Sequence, residues 1–231
     1  MIIIKPRVLV PRSELDPGKL VKIERYARVC YKSEDKMGED ANPRFLSSII
    51  NRGHESVIEH EKITVMFIVD RGVSHEIVRH RIASYSQEST RYCNYSNDKF
   101  GREITVIEPF FFRDYLYRLW HDACLTAEKR YMDLLQNGAT PQEARAVLPN
   151  SLKTELVATF NMRAWRHFFR LRCAPPAHPQ MKQVAIPLLA LFQSAYPLLF
   201  SDIEIDPSFP SEHYAGMVWT GPDFNPEEEA I

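Results

Sequence analysis

The sequence predicts one α+β domain whose first half mixes strands with helices and whose second half is helical. Three observations carry this reading. Apolar positions alternate over residues 61–70, after a β-branched run at 2–10. Helical spacing with start and stop residues recurs at 16–31, 42–53 and 112–138. No internal repeat and no Gly- or Ser-rich linker divides the 231 residues, of which 45% are hydrophobic, enough to bury a core.

The elements follow in order. Residues 2–10 (IIIKPRVLV) read as a strand broken at Pro6, and a proline there predicts an edge position. Asp16 caps a helix with Pro17 at its first position and Leu20, Ile23, Ala27 and Cys30 or Tyr31 on one face. Asn42 and Pro43 open a second helix that carries Phe45, Leu46, Ile49 and Ile50 and stops at Gly53. Residues 61–70 (EKITVMFIVD) form a strand covered on both faces. A short helix then bears SHEIVRHR, and the polar stretch SYSQESTRYCNYSN, which lacks apolar periodicity, reads as an ordered loop ahead of a strand near 103–107. Residues 112–136 are amphipathic, with Leu116, Trp120, Cys124, Tyr131 and Leu135 on one side and Gly138 as stop. Thr140, Pro141 and Glu143 make a capping box for a short helix ending at Leu148-Pro149. A long helix is expected from Ser151 to about Leu171, and after Pro175-Pro176 another from about Pro179 to Phe200, kinked at Pro187. The tail from Ser201 has eight acids and no Lys or Arg, and is expected to lie over the surface and fray at its end.

Composition excludes several classes. Twenty-nine basic and 30 acidic residues give a net charge of −1, so neither nucleic acid nor an anionic membrane is an expected partner. The four cysteines are far apart, with no CxxC pair, which fits a reducing compartment and argues against a zinc knuckle. The apolar run Met1–Ile4 ends at Lys5-Pro6, short of a signal segment, and no stretch approaches membrane-spanning length; a cytoplasmic location is expected. Eight glycines, none spaced as GxGxxG or GxxxxGK[ST], leave any nucleotide to be held by side chains and helix ends. No metal is expected either, because His75-Glu76 to His80 is HExxxH, one residue too long for a zinc pair one turn apart.

Charge gathers in two places. Between Arg79 and Arg102 five cations face Glu88 and Asp98, net +3; between Arg163 and Lys182 there are five cations and no acid, net +5. Arginine predominates, and its planar fork favours phosphate and carboxylate. At about 100° per residue, Asn161, Trp165 and Arg172 fall near one line and Arg163, His167 and Arg170 on a roughly opposite one. The expected helix thus reads as a wall between two anion sites.

Arg79-His80-Arg81, seven residues, then Ser89 resembles the RHRx7S signature of flavin-dependent thymidylate synthases. The likeness extends through Thr90-Arg91-Tyr92, back to Gly53-His54-Glu55-Ser56-Val57-Ile58-Glu59-His60, and forward to Arg145 through Pro149, Asn161-Met162-Arg163, Phe168 to Arg172, and Ala177-His178-Pro179-Gln180. It implies a single domain over 1–231 with a small mixed or antiparallel sheet and long helices, the ThyX-type fold. The activity implied is methylation of dUMP at C5, with 5,10-methylenetetrahydrofolate as carbon donor, NADPH as reductant, FAD as hydride carrier and tetrahydrofolate as product. A homotetramer with sites shared between subunits is implied as well.

By the same resemblance Ser56, Arg79, His80, Arg81, Gln87, Asn161, Arg163, His167, His54 and Glu59 would hold flavin and folate. Glu76, Arg79, Gln87, Glu88, Ser89, Thr90, Arg91, Arg145 and Arg172 would hold dUMP, with Arg172 at the uracil ring as the catalytic residue. Several positions depart from the family pattern: His167 replaces a frequent Asn, Glu76 a frequent Gln, Gln87-Glu88 reverses a Glu-Gln pair, and Lys182 stands where an acid is common. The physical logic is that charge developing on the pyrimidine wants a fixed guanidinium beside it, and that no protein nucleophile is needed, so Ser89 positions substrate and Cys93 is not activated. Two other readings compete. A single-stranded nucleic-acid module would use the arginines and interleaved aromatics, against which stand the net charge and the acidic tail. A flavoprotein paralogue lacking methyl transfer would not need Ser89, Arg91, Arg145 and Arg172.

Overall fold

The computed structural model describes residues 1–230. In chain order its strands are β1 (Ile2–Ile4), β2 (Arg7–Pro11), β3 (Lys62–Asp70), β4 (Ala83–Gln87), β5 (Thr105–Ile107), β6 (Lys153–Asn161), β7 (Gly216–Thr220) and β8 (Pro226–Ala230). Its α-helices are α1 (Gly18–Tyr31), α2 (Pro43–Asn51), α3 (Arg71–Ile77), α4 (Asp114–Gln136), α5 (Pro141–Ala144), α6 (Met162–Arg172), α7 (Pro179–Ala195) and α8 (Pro197–Phe200). Six strands form a sheet in the order β4-β6-β3-β2-β7-β8, and β1 pairs in parallel with β5, Ile3 opposite Val106. The architecture is α+β.

Contacts group the chain into two compact units. The first comprises residues 1–7, 67–79 and 86–157. Its core is Tyr95, Ile104, Val106, Cys124, Tyr131, Ala144 and Leu152. Here α4 runs as its periodicity predicts, although of its apolar face only Cys124 and Tyr131 are buried; Leu116 is 56% exposed. The Thr140–Glu143 capping box forms, and Gly138 ends α4 at φ +94°, a conformation that favours glycine.

The second unit comprises residues 8–66, 80–85 and 158–231. Its core is aromatic: Trp165 lies with ring centroids 4.3 Å from Phe160, 5.4 Å from Phe168 and 5.2 Å from Phe192. The Trp165 indole donates to the Ile63 carbonyl at 3.0 Å, which satisfies its one polar group. Asn42 caps α2 as expected, accepting from Phe45 N at 3.1 Å.

Five expectations are corrected. Residues 153–161 are strand β6, not the first half of a long helix: Thr154, Leu156, Ala158 and Phe160 are buried alternately, a period of two, and the helix begins only at Met162. The polar loop begins as strand β4, an edge strand whose alternation is of half-buried and exposed polar residues and so carries no hydrophobic signal. β2 is an inner strand of the sheet, since Pro6 falls between β1 and β2 and removes no ladder donor from either. The last expected helix divides at Tyr196, with Pro187 inside α7 and Pro197 opening α8. The tail is built into the structure: Ile203, Asp206, Ala215 and Met217 are buried, and β7 and β8 extend the sheet. Its last residue, Ile231, lies outside the described residues. Among those described, no helix is long and apolar enough to cross a membrane.

Candidate functional site

The second unit gathers the RHR histidine with α6. Asn161 is the N-cap of α6, and its Oδ1 accepts from Ala164 N at 2.8 Å, which aligns the helix that follows. From its last turn Arg172 donates through Nε to His80 Nε2 at 2.9 Å. The imidazole is therefore neutral at Nε2, its proton on Nδ1. Burial foremost, then the charges of Arg172 and His167, bring His80 down from 6.5 to about 4. Phe168 meets the imidazole edge-on at 4.9 Å, Phe160 stacks at 6.3 Å and His167 lies 5.8 Å away. An uncharged histidine thus steadies a permanent cation, which suits the stabilisation of negative charge.

Two details differ from the helical-phase reading. His167 borders His80, as Arg172 does, and Trp165 is core and not a ligand wall. Along the other side of α6 the arginines meet carboxylates from far along the chain. Glu55 lies 3.1 Å from Arg166 Nε, 3.5 Å from Arg163 Nε and 3.7 Å from Arg170 Nη1. Glu59 accepts from Arg163 at 2.5 Å, and Asp202 accepts from both Arg166 (2.8 and 2.7 Å) and Arg170 (3.1 Å). The +5 segment is largely balanced; even Lys182 pairs with Asp206 at 2.7 Å. Arg163 and Arg170 remain about half exposed, while Arg166 is 2% exposed and also donates to the Leu199 carbonyl. His54 and Ser56 are exposed at the head of this cluster, His54 Nδ1 sharing a hydrogen bond with Tyr31 OH at 3.2 Å. Arg81 is exposed, and Ile82 after it takes φ +61° at 82% exposure, a strained corner for a β-branched residue.

The first unit holds the rest. Gln87 donates to Ser74 Oγ at 2.9 Å and Thr154 Oγ1 at 3.3 Å. Glu88 turns instead to Tyr95 OH (3.0 Å) and Lys153 Nζ (3.0 Å). Ser89 Oγ accepts from Arg91 N at 3.3 Å in a turn whose Ser89 carbonyl accepts from Tyr92 N and Cys93 N. Arg145, exposed, donates to the buried Thr90 hydroxyl at 3.4 Å, which brings the two distant motif segments together. Arg91 lies over the Tyr92 ring at 5.5 Å and is exposed. Glu76, half-buried in α3, and exposed Arg79 complete the set. Cys93 is raised by burial and then by Glu88, as expected of a thiol that is no nucleophile. Among the described residues no three His, Cys, Asp or Glu side chains cluster as metal ligands.

Sequence reasoning passed over Glu55, Asp202, Ser74 and Thr154. Glu55 lay inside a quoted motif; the acidic tail beside a basic segment was the available signal for Asp202; the two buried hydroxyls had none.

Fold and site together define an α+β protein whose arginine-rich segments are held in place by side chains from distant parts of the chain. Comparison with known proteins names the family. The family model for thymidylate synthase complementing protein (Thy1) matches residues 13–198. The flavin-dependent thymidylate synthase of Geobacter sulfurreducens is 35% identical over 198 residues, 81% of this chain and 82% of the relative. That of Mycolicibacterium vanbaalenii is 34% identical over 220 residues, 85% and 84% of the two chains. A crystal structure of the UMP/dUMP methylase PolB from Streptomyces cacaoi, bound with 5-Br dUMP, shares the fold, with a TM-score of 0.70 over 87% of this chain and 96% of its own at 22% identity. The chain belongs to the flavin-dependent thymidylate synthase family, and it is an enzyme of the methyltransferase class.

Proposed function

We propose that this enzyme converts dUMP to dTMP with 5,10-methylenetetrahydrofolate as carbon donor and NADPH as reductant, releasing tetrahydrofolate. The observation that carries the reading is the guanidinium of Arg172 held through Nε by a neutral His80 within the signature motif. When bound, FAD would supply the hydride that the pyrimidine receives. Arg172, set against the uracil, would stabilise the negative charge that grows on the ring; because His80 is neutral, that charge meets one cation and no competing proton donor at Nε2. Arg91 and Arg145 would hold the phosphate, with Ser89 and Thr90 on phosphate or ribose, and Glu76 accepting from the sugar or base.

The residues present suit a flavin dinucleotide. Arg163 offers a half-exposed guanidinium to a diphosphate, and Ser56, His54 and His167 are exposed beside the same carboxylate-lined helix. Arg79, Arg81, Asn161 and Glu59 would complete that set. A homotetramer with sites shared between subunits is part of the proposal, and exposed Tyr115, Leu116 and Leu119 on α4 supply apolar surface that such an assembly would cover. So are a cytoplasmic location and the working of residues 1–231 as one catalytic domain.

The test is tritium release from dUMP labelled at C5 by purified protein given methylenetetrahydrofolate and NADPH. Release that requires both FAD and NADPH is the expected result. A protein that binds flavin yet releases no tritium contradicts it.

A further inference from the structure

Gln87 closes β4, and its amide lies against two hydroxyls that the signature motif does not contain. Ser74 in α3 and Thr154 in β6 are both fully buried, and each accepts from Gln87 Nε2. A hydroxyl has one proton and two lone pairs. Ser74 donates its proton to the Arg71 carbonyl at 3.0 Å, so it turns a lone pair to Gln87, and only an N–H can meet that. Thr154 would accommodate either end of an amide; Ser74 admits only the nitrogen. Both amide protons are thereby held within the protein, and among the described residues none donates to Gln87 Oε1.

We infer that Ser74 and Thr154 are positioning residues that fix the Gln87 amide with its oxygen outward, so that Gln87 reads an imide N–H on a bound ring. The inference rests on the proposed function, which supplies two rings of that chemistry: uracil and the flavin isoalloxazine each carry an N–H between two carbonyls. An outward oxygen accepts from such an N–H and opposes the bare ring nitrogen of a cytosine base. A reversed amide would set donor against donor at an imide. Selection for a uracil-type or flavin ring at this position would then come from a buried serine that touches neither.

The experiment measures dissociation constants for dUMP, by equilibrium dialysis, and for FAD, by flavin fluorescence, in the wild type, Ser74→Ala, Gln87→Ala and the double variant. Loss of one oriented neutral hydrogen bond is worth about tenfold in affinity. Ser74→Ala is expected to weaken dUMP by that factor if uracil is the ring read, or FAD if isoalloxazine is. In the Gln87→Ala background Ser74→Ala adds nothing, whereas a merely structural serine would lower affinity equally in both backgrounds. Should Ser74→Ala fail to fold, the near-isosteric Thr154→Val gives a smaller shift in the same constant. Unchanged dUMP and FAD affinities, or equal losses in both backgrounds, overturn the inference whatever the turnover. A wild type that binds both ligands but releases no tritium overturns the proposed function alone, and one that binds neither overturns both.

Discussion

Replacing His80 by Gln separates the acid lability of this protein from the geometry of its site. His80 is 7% exposed, and burial, then Arg172 and His167, take its imidazole from 6.5 to about 4. At 1.36 kcal/mol for each tenfold change in proton affinity, that difference amounts to about 3 kcal/mol. The folded value is the lower one, so between pH 6.5 and 4 the unfolded chain binds the extra proton. The corresponding stability is whole above pH 6.5 and declines as pH falls through about 4; roughly 2 kcal/mol of it is gone at pH 5. Glutamine sets an amide oxygen near the position of Nε2, can accept from Arg172 Nε, and does not titrate. Urea midpoints of the two proteins are expected to agree at pH 7.5. At pH 5 the variant should be the more stable by about 2 kcal/mol, other groups titrating alike in both. Equal acid losses would mean that His80 is not a buried neutral base, and the account of how Arg172 is held would fall with it.

Three further substitutions test the site. Arg172→Ala should lower kcat by about a hundredfold or more while the flavin absorbance of the purified protein is retained; normal turnover contradicts its placement at the pyrimidine. Ser89→Ala should weaken dUMP binding roughly tenfold and still form product, whereas complete loss of product at unchanged dUMP affinity would make Ser89 a nucleophile. Arg166→Ala removes a side chain only 2% exposed, takes from Glu55 the nearest of its three guanidinium partners and leaves the Leu199 carbonyl without its guanidinium donor. It should cost about 3 kcal/mol in urea denaturation, a figure held down by the half-exposure of Asp202, and a loss below about 1 kcal/mol would show the network to be dispensable.

How much of this was legible varies by element. The caps of α2 and α5 were, because Asn42 accepts from a backbone donor three residues ahead and Glu143 accepts from the backbone donor of Thr140 three residues behind. α4 was legible from its period alone. β6 was not: KTELVATFN contains good helix formers, runs straight into α6, and shows its two-residue period only over nine positions. Its neighbours β4 and β3 in the sheet decide the matter, and neither is local. β4 escaped notice because an edge strand of half-exposed Ser, Tyr and Gln has no apolar alternation to read. The motif residues were found in order along the chain, yet their partners were not, since Glu55 and Arg166 stand 111 positions apart and His80 and Arg172 stand 92 apart.

Residue types and their short spacings were enough for the family, the capped helices and the presence of two arginine-rich segments. The same linear order overstated the charge of the second segment, for it could not bring Glu55, Glu59, Asp202 and Asp206 to Arg163, Arg166, Arg170 and Lys182. Nor could it make His80 neutral or turn the Gln87 amide, because both depend on burial and on hydroxyl and guanidinium groups delivered by other elements. Capping and periodicity act within a turn of helix or a pleat of strand. Protonation states and hydrogen-bond polarity are set by whatever the folded chain places within a few ångströms, and for His80 and Gln87 those neighbours, Arg172, Ser74 and Thr154, stand on other elements 92, 13 and 67 positions away.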